Sequence, residues 1–261
     1  MILELRLSNF FSIKDEITID FRAANLRSKH SRDLSDNIFN YKNTGVLKTL
    51  ALYGANASGK SNIIKAIRFC VAMVINSHNH NENTIFNFIP FKFDGYSEKP
   101  SKFFINFVSH NIEYEYSFEL TRTEIIKEAL YFYPKGRITK IFERDETKGN
   151  TKNEKYSFGK FIKKPMDVAE STSAKTLFIS RASQMDREIG KEIFNFFNNK
   201  FIMNLLPPDD VRIENNFNKY KAEFLEVLKI ADSDIEEIEI EKKMVPGFRV
   251  DFKKEFDKPL S

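Results

Sequence analysis

Hydrophobic and polar residues alternate most strictly where Ile112, Tyr114, Tyr116, Phe118 and Leu120 are separated by Glu113, Glu115, Ser117 and Glu119. A period of two describes a strand with one buried face and one wet face. Residues 102–109 pair with it across His110 and Asn111, which predicts a hairpin. More strands are expected near Ile125 and over 129–133, 138–143 and 156–161, with the charged stretch 145–154 as a loop. At the N-terminus, Ile2, Leu3, Leu5 and Leu7 precede a turn at 8–12. Ile17, Ile19 and Phe21 then alternate with Glu16, Thr18 and Asp20, so two strands are predicted there. Residues 22–45, rich in Asn, Ser, Arg and Lys, read as an irregular crossing.

The period changes after residue 60. Ile63, Ile64, Ile67, Cys70, Val71 and Val74 recur at helical spacing. Residues 76–87 read as a polar surface loop in which His78 and His80 are solvated. Residues 176–180 read as a short strand, 188–203 as a helix stopped by Pro207 and Pro208, and 217–230 as a second helix with Tyr220, Phe224, Leu225 and Leu228 on one face. Two terminal strands are expected at 235–240 and 248–252. The pattern predicts an α/β lobe with a mixed sheet whose central strand is the apolar run 46–53. A helix lies on one face, an antiparallel β-meander subdomain on the other, and a partial helical lid closes the lobe. Its parts are expected at 1–75, 76–175 and 176–261.

Between that apolar run and the first helix stand Gly54, Ala55, Asn56, Ala57, Ser58, Gly59, Lys60 and Ser61, followed by Asn62. They fit G-x-x-x-x-G-K-[ST], in the order strand, glycine turn, helix start that a phosphate-cradling loop requires. Gly54 and Gly59 permit backbone angles that a Cβ forbids, so successive N–H groups can face inward. The helix opening adds unsatisfied donors and the positive end of its dipole. In such a loop Lys60 reaches the β- and γ-phosphates of ATP and the Ser61 hydroxyl holds Mg²⁺.

Composition narrows the class. Of 261 residues, 41% are hydrophobic and 30% charged, as in a soluble globular protein. No apolar run reaches the length of a membrane span, and residues 1–6 alternate instead of forming a signal peptide's apolar block. The expected location is the cytoplasm, with no membrane partner. The single cysteine, Cys70, lies on the apolar helix face and reads as core. A net charge of +4 does not itself imply nucleic acid. Basic residues at 135–140 and 160–164 suit guarded strand edges about as well as a DNA surface.

The segment Ile2-Leu3-Glu4-Leu5-Arg6-Leu7-Ser8-Asn9-Phe10-Phe11-Ser12, followed by the phosphate loop, is similar to the N-terminal lobe of ABC-type heads in RecF, SMC and OLD-like ATPases. Within that superfamily the chain resembles the bacterial group catalogued as the fifteenth AAA-domain class. The blocks that carry this are Ile89-Pro90-Phe91-Lys92-Phe93-Asp94, Tyr114-Glu115-Tyr116-Ser117-Phe118-Glu119, Glu128-Ala129-Leu130-Tyr131 and Thr176-Leu177-Phe178-Ile179-Ser180. The resemblance extends to about Glu241. It implies an ATP- and Mg²⁺-dependent sensor or effector partner in phage defence and abortive infection, often encoded beside a nuclease or other toxin. It also implies a homodimer or oligomer through ATP-sandwich heads if a C-terminal lobe is present, and leaves DNA as a possible partner. It places Gln184 as a lid glutamine touching Mg²⁺ and the γ-phosphate, against the plain reading of an exposed loop glutamine. It places Ser12 and Lys14 beside the nucleotide, where the residues themselves read as a simple turn.

Two motifs of such heads are not found: an acidic strand of hydrophobic residues ending in Asp-Glu, and, outside the phosphate loop, a Ser-Gly signature before a helix. Ile230-Ala231-Asp232 closes a helical pattern, Pro207 and Pro208 keep Asp209 and Asp210 out of a central strand, and Ser157-Phe158-Gly159 sits in a strand. The family would place both motifs beyond Ser261, so the chain reads as the N-terminal part of a longer design with little turnover of its own. Two other classes stay open. One is a non-catalytic interaction protein. The other is a small phosphate-loop kinase with Arg181 and Arg187 as lid arginines.

Overall fold

The β-hairpin predicted from strict alternation is the centre of the molecule. Its two-residue turn, His110 and Asn111, has positive φ at both positions (44° and 62°), the geometry whose twist matches paired strands. The computed structural model describes residues 1–24, 35–56, 58–201, 210–231, 237–241 and 249–253. In chain order the elements are β1 (Ile2–Ser8), β2 (Ile17–Asp20), β3 (Ile38–Tyr41), β4 (Thr44–Leu47), α1 (Lys60–Asn76), β5 (Ser101–Ser109), β6 (Ile112–Leu120), β7 (Ile125–Phe132) and β8 (Thr139–Asp145). These are followed by α2 (Lys152–Lys155), β9 (Tyr156–Phe158), α3 (Pro165–Glu170), α4 (Phe178–Gln184), α5 (Glu188–Lys200), α6 (Asp210–Ala231), β10 (Glu237–Glu241) and β11 (Arg249–Lys253).

Seven strands form one sheet in the order β2-β1-β5-β6-β7-β8-β9, and every pairing is antiparallel. One row of side chains crosses it: Ile19, Leu5, Ile105, Tyr116, Leu130, Phe142 and Phe158 are successive cross-strand partners. All but Phe158 are buried. Three helices cover this face, each through an aromatic ring. Phe69 of α1 meets Phe103 at 5.6 Å, Phe196 of α5 stacks on Phe107 at 4.1 Å, and Phe178 of α4 meets Phe142 at 4.5 Å. Cys70 is buried among them as expected, and burial pushes its thiol up to about 12. The opposite face carries the alternate row Thr18, Arg6, Phe104, Ser117, Ala129, Glu143 and Ser157.

Several expectations are corrected. The sheet is antiparallel throughout, not mixed: the meander is the principal sheet and takes in the N-terminal strands. The run 46–53 is not its central strand. Only residues up to Leu47 are strand, and β4 pairs with β3 in a separate two-stranded ribbon. That ribbon is tied to the end of β2 by Leu47 N–H to Phe21 O (2.7 Å) and packs through Val46 on Leu3 and Val108. Beyond it Leu52 is 39% and Tyr53 92% exposed. Local apolarity specifies an extended chain but cannot supply a neighbouring strand, and none pairs with residues 48–53 among those described.

The third correction is at 176–180, where Phe178 starts a helix. Both oxygens of Glu128 receive its first N–H groups, Phe178 N at 2.6 Å and Ile179 N at 3.0 Å. A carboxylate fifty residues earlier in the chain thus caps a helix whose own Leu177 cannot. The histidines are likewise not solvated. His78 Nδ1 lies 3.0 Å from Ser180 Oγ, and His80 Nδ1 3.1 Å from Lys175 O. The loop at 145–154 ends in α2, opened by a capping box between Thr151 and Glu154.

The chain divides into two compact units, Met1–Ile202 and Met203–Ser261. In the second, α6 is broken at Tyr220 (φ −125°, ψ 23°), and β10 and β11 form the expected antiparallel hairpin. Asp209 and Pro207 lie outside the described residues, as does the Ile235 end of the predicted strand.

A candidate phosphate-binding loop

The loop from Gly54 to Gly59 leads directly into α1, which opens at Lys60 behind an N-cap glycine at φ 91°, ψ 2°. No side chain caps that end, and although the Asn62 and Ile63 N–H groups turn back to Gly59 O, those of Lys60 and Ser61 ahead of them have no acceptor one turn back and are free to serve an anion. Ser58 N–H turns back to Ala55 O at 3.2 Å. Ala57 lies outside the described residues. Gly54, Ala55, Asn56, Ser58 and Ser61 are exposed, and Lys60 and Asn62 half-buried.

Gly59 is required by its φ, and at both motif glycines a side chain would displace a serine hydroxyl. A Cβ on Gly54 would stand 2.8 Å from Ser58 Oγ, and one on Gly59 2.9 Å from Ser12 Oγ. The Lys60 ammonium folds across the loop and donates to Gly54 O (2.8 Å), Ala55 O (2.6 Å) and Ser58 Oγ (3.3 Å). These are carbonyl and hydroxyl acceptors, not a carboxylate. The charge is therefore held in place without being neutralised, and an anionic phosphate is the stronger partner for it. The donor set fits a phosphate group: open N–H groups, a steered ammonium and the Ser61 hydroxyl at the helix entrance. For Mg²⁺ the motif offers the Ser61 hydroxyl, while Ser58 Oγ accepts from Lys60. No group of three or more His, Cys, Asp or Glu side chains suited to a metal occurs among the described residues.

Gln184 is not brought to this loop. It ends α4, where it is bonded to Arg181, whose other nitrogen reaches His78 O at 3.3 Å, just past the C-terminal end of α1. Lys60 begins the same helix, and 17 residues at 1.5 Å each separate its ends by about 25 Å. Arg181 is thus also at the far end, and Arg187 lies 3.6 Å from Asp167, so neither lid arginine of the kinase reading faces the loop. Lys14 turns to Asp94 at 2.6 Å. Ser12 does reach the loop: its Oγ accepts from Asn62 Nδ2 at 2.8 Å. The signal available in the sequence was its place in a short turn between two strands, which by itself does not say what that turn touches.

Other hollows are separate from this chemistry. One of about 420 Å³ lies on the open sheet face between Arg6, Lys102, Ser117, Glu119 and Lys127. It contains no residue of the phosphate loop.

Residues 50–258, which include the whole loop and α1, match the family model described as "AAA domain, putative AbiEii toxin, Type IV TA system". The chain belongs to this family. It is therefore a nucleotide-binding P-loop ATPase domain by kinship, with a link to abortive-infection toxin–antitoxin systems. AAA ATPase domains generally use ATP with Mg²⁺. No curated protein matches the chain. No helix among the described residues is long and apolar enough to cross a membrane.

Proposed function

We propose that the chain is the phosphate-loop lobe of an OLD/SMC-like ATPase that holds ATP and Mg²⁺ on residues 54–62 and acts as a nucleotide-dependent sensor or effector partner in antiphage defence. The observation that carries this is the loop itself: a glycine at φ 91° behind a second motif glycine, an ammonium steered across the loop, and a helix opening behind. Bound Mg²⁺ would supply charge neutralisation between the β- and γ-phosphates. The chain's residues bind and orient: loop N–H groups and Lys60 hold the phosphates, and Ser61 offers a metal-facing hydroxyl.

Turnover needs more. Phosphoryl transfer depends on positioning and charge stabilisation, and in this sequence no run of hydrophobic residues ends in Asp-Glu, while its one Ser-Gly pair, Ser58-Gly59, belongs to the phosphate loop. In this reading a second lobe supplies both, in cis or in trans, and its strands pair with residues 48–53. The exposed Leu52 and Tyr53 side chains support that pairing. Dimerisation through an ATP sandwich, a toxin or nuclease partner and contact with DNA belong to the same reading.

Isothermal titration with ATP and Mg²⁺ tests it. Heat with a dissociation constant of tens of micromolar or tighter, lost in Lys60→Ala, is the expected result. No heat with the wild-type chain would favour a pure interaction protein. Robust hydrolysis by residues 1–261 alone, abolished by Lys60→Ala, would show that the second lobe is not needed.

A further inference from the structure

The phosphate-loop motif assigns nothing to the β1–β2 hairpin, yet the tip of that hairpin stands against it. Phe10 and Ile13 exchange both backbone hydrogen bonds at 2.9 Å, closing a two-residue loop of Phe11 and Ser12. Phe11 has φ 51° and Asn9 φ 55°, conformations that non-glycine residues hold only when their surroundings fix them.

The surroundings do so here. The buried Asn9 side chain donates to Tyr96 O (2.9 Å) and Lys99 O (2.7 Å) and accepts from Phe91 N–H (2.9 Å). Ser101 Oγ donates to Asn9 O at 2.5 Å, and Phe11 N–H to Ile89 O at 2.7 Å. The tip is therefore pinned from behind by residues 89–101. What it presents forward is the Ser12 hydroxyl, 2.8 Å from Asn62 Nδ2 and 2.9 Å from where a Cβ on Gly59 would lie.

We propose that Ser12 is a positioning residue for the phosphate loop. Its hydroxyl latches Asn62 and walls Gly59, so the first turn of α1 is held ready before any nucleotide arrives. A glycine at φ 91° is otherwise free to sample many conformations, and fixing it beforehand lowers the ordering cost of binding. The latch also gives a task to Asn62, which lies just past the motif. It involves no contact between Ser12 and ligand. The effect on affinity rests on the nucleotide reading above, whereas the latch itself does not.

Two measurements on the full chain decide it. In titrations with ATP and Mg²⁺, Ser12→Ala is expected to weaken binding about threefold to tenfold, the range for one lost hydrogen bond. Ser12→Thr, which keeps the hydroxyl, should restore it. Asn62→Ala should match Ser12→Ala, and the double variant should be no weaker than either single one. Ser12 is exposed, so thermal midpoints should not move. Wild-type affinity in Ser12→Ala overturns the proposal. If the wild-type chain binds no ATP, the nucleotide reading fails instead, and amide exchange without nucleotide judges the latch. The Asn62 and Ile63 N–H groups, both donating to Gly59 O, should exchange severalfold faster in Ser12→Ala and at the wild-type rate in Ser12→Thr. Unchanged exchange in Ser12→Ala removes the latch.

Discussion

Gly59 shows how much a single position can carry. Its φ of 91° lies where an L-residue pays a steric cost of about 1–2 kcal/mol, and Ser12 Oγ occupies the space a methyl group would need. Gly59→Ala is expected to lower stability by about that amount in urea denaturation and to abolish the heat of ATP binding. Protonation acts at this scale too. Burial, then the neighbouring Arg181 and His80, holds His78 below its ordinary value of 6.5. Burial works against Glu146, but Arg144 and Lys155 outweigh it and hold the carboxylate below 4.5. Each group binds protons more readily when unfolded, so each contributes stability at higher pH that is lost as pH falls. The His78 contribution should begin to decline below pH 6.5 and that of Glu146 below pH 4.5. Urea midpoints measured from pH 8 to pH 4 should therefore fall, and His78→Gln should flatten the upper part of the curve.

At the scale of elements, α4 is the part whose existence depends most on distant residues. Glu128 is buried on the sheet's helix-covered face, accepts from Tyr116 Oη at 2.8 Å, caps Phe178 and Ile179, and has Arg144 at 3.9 Å. Burial pushes its carboxyl upward, while these donors favour the ionised form. Arg144 is itself tied to Thr176 O at 2.7 Å and Ser173 O at 3.1 Å, so one buried pair fixes both the turn before α4 and its first amides. Arg144 keeps Glu146 at 2.6 Å, so removing Glu128 leaves no bare charge, but it strands the buried N–H groups of Phe178 and Ile179, and a buried group left without its partner typically costs about 1–3 kcal/mol. Glu128→Ala is expected to lose that much in equilibrium denaturation and to speed amide exchange at Phe178 and Ile179. By contrast β5, β6 and α1 were legible locally. Alternating Phe and Tyr against Glu and Ser can only be a one-sided strand, and the glycine turn before Ile63 can only open a helix. Residues 176–180 were misread because a short apolar run suits a strand or a buried helix equally, and the cap that decides between them lies in β7.

For the molecule as a whole, the unusual feature is the apolar stretch before the phosphate loop, which has no neighbouring strand among the described residues. Leu52, Tyr53 and Phe39 are exposed to 39%, 92% and 54%. Unpaired backbone beside exposed apolar side chains invites association. The purified chain is expected to self-associate with rising concentration in sedimentation experiments, and Leu52→Asp with Tyr53→Ser should reduce this without changing the urea midpoint. ATP turnover by the same sample should stay near background, and addition of a polypeptide carrying an acidic strand and signature should raise it.

The sequence by itself determined what depends on neighbours in the chain. The phosphate loop, the helix it opens, the period-two strands with their buried and wet faces, and the core place of Cys70 all follow from spacing, glycine freedom and side-chain chemistry within a few residues. Only the tertiary structure decided what depends on partners far apart in the chain. It set Glu128 at the head of α4, Gln184 by way of Arg181 beside the end of α1 away from the loop it was expected to serve, and Ser12 against Asn62. Hydrogen bonds and caps reach only a few ångströms, so which distant groups meet is fixed by the sheet's register and the helices packed on it, not by local pattern.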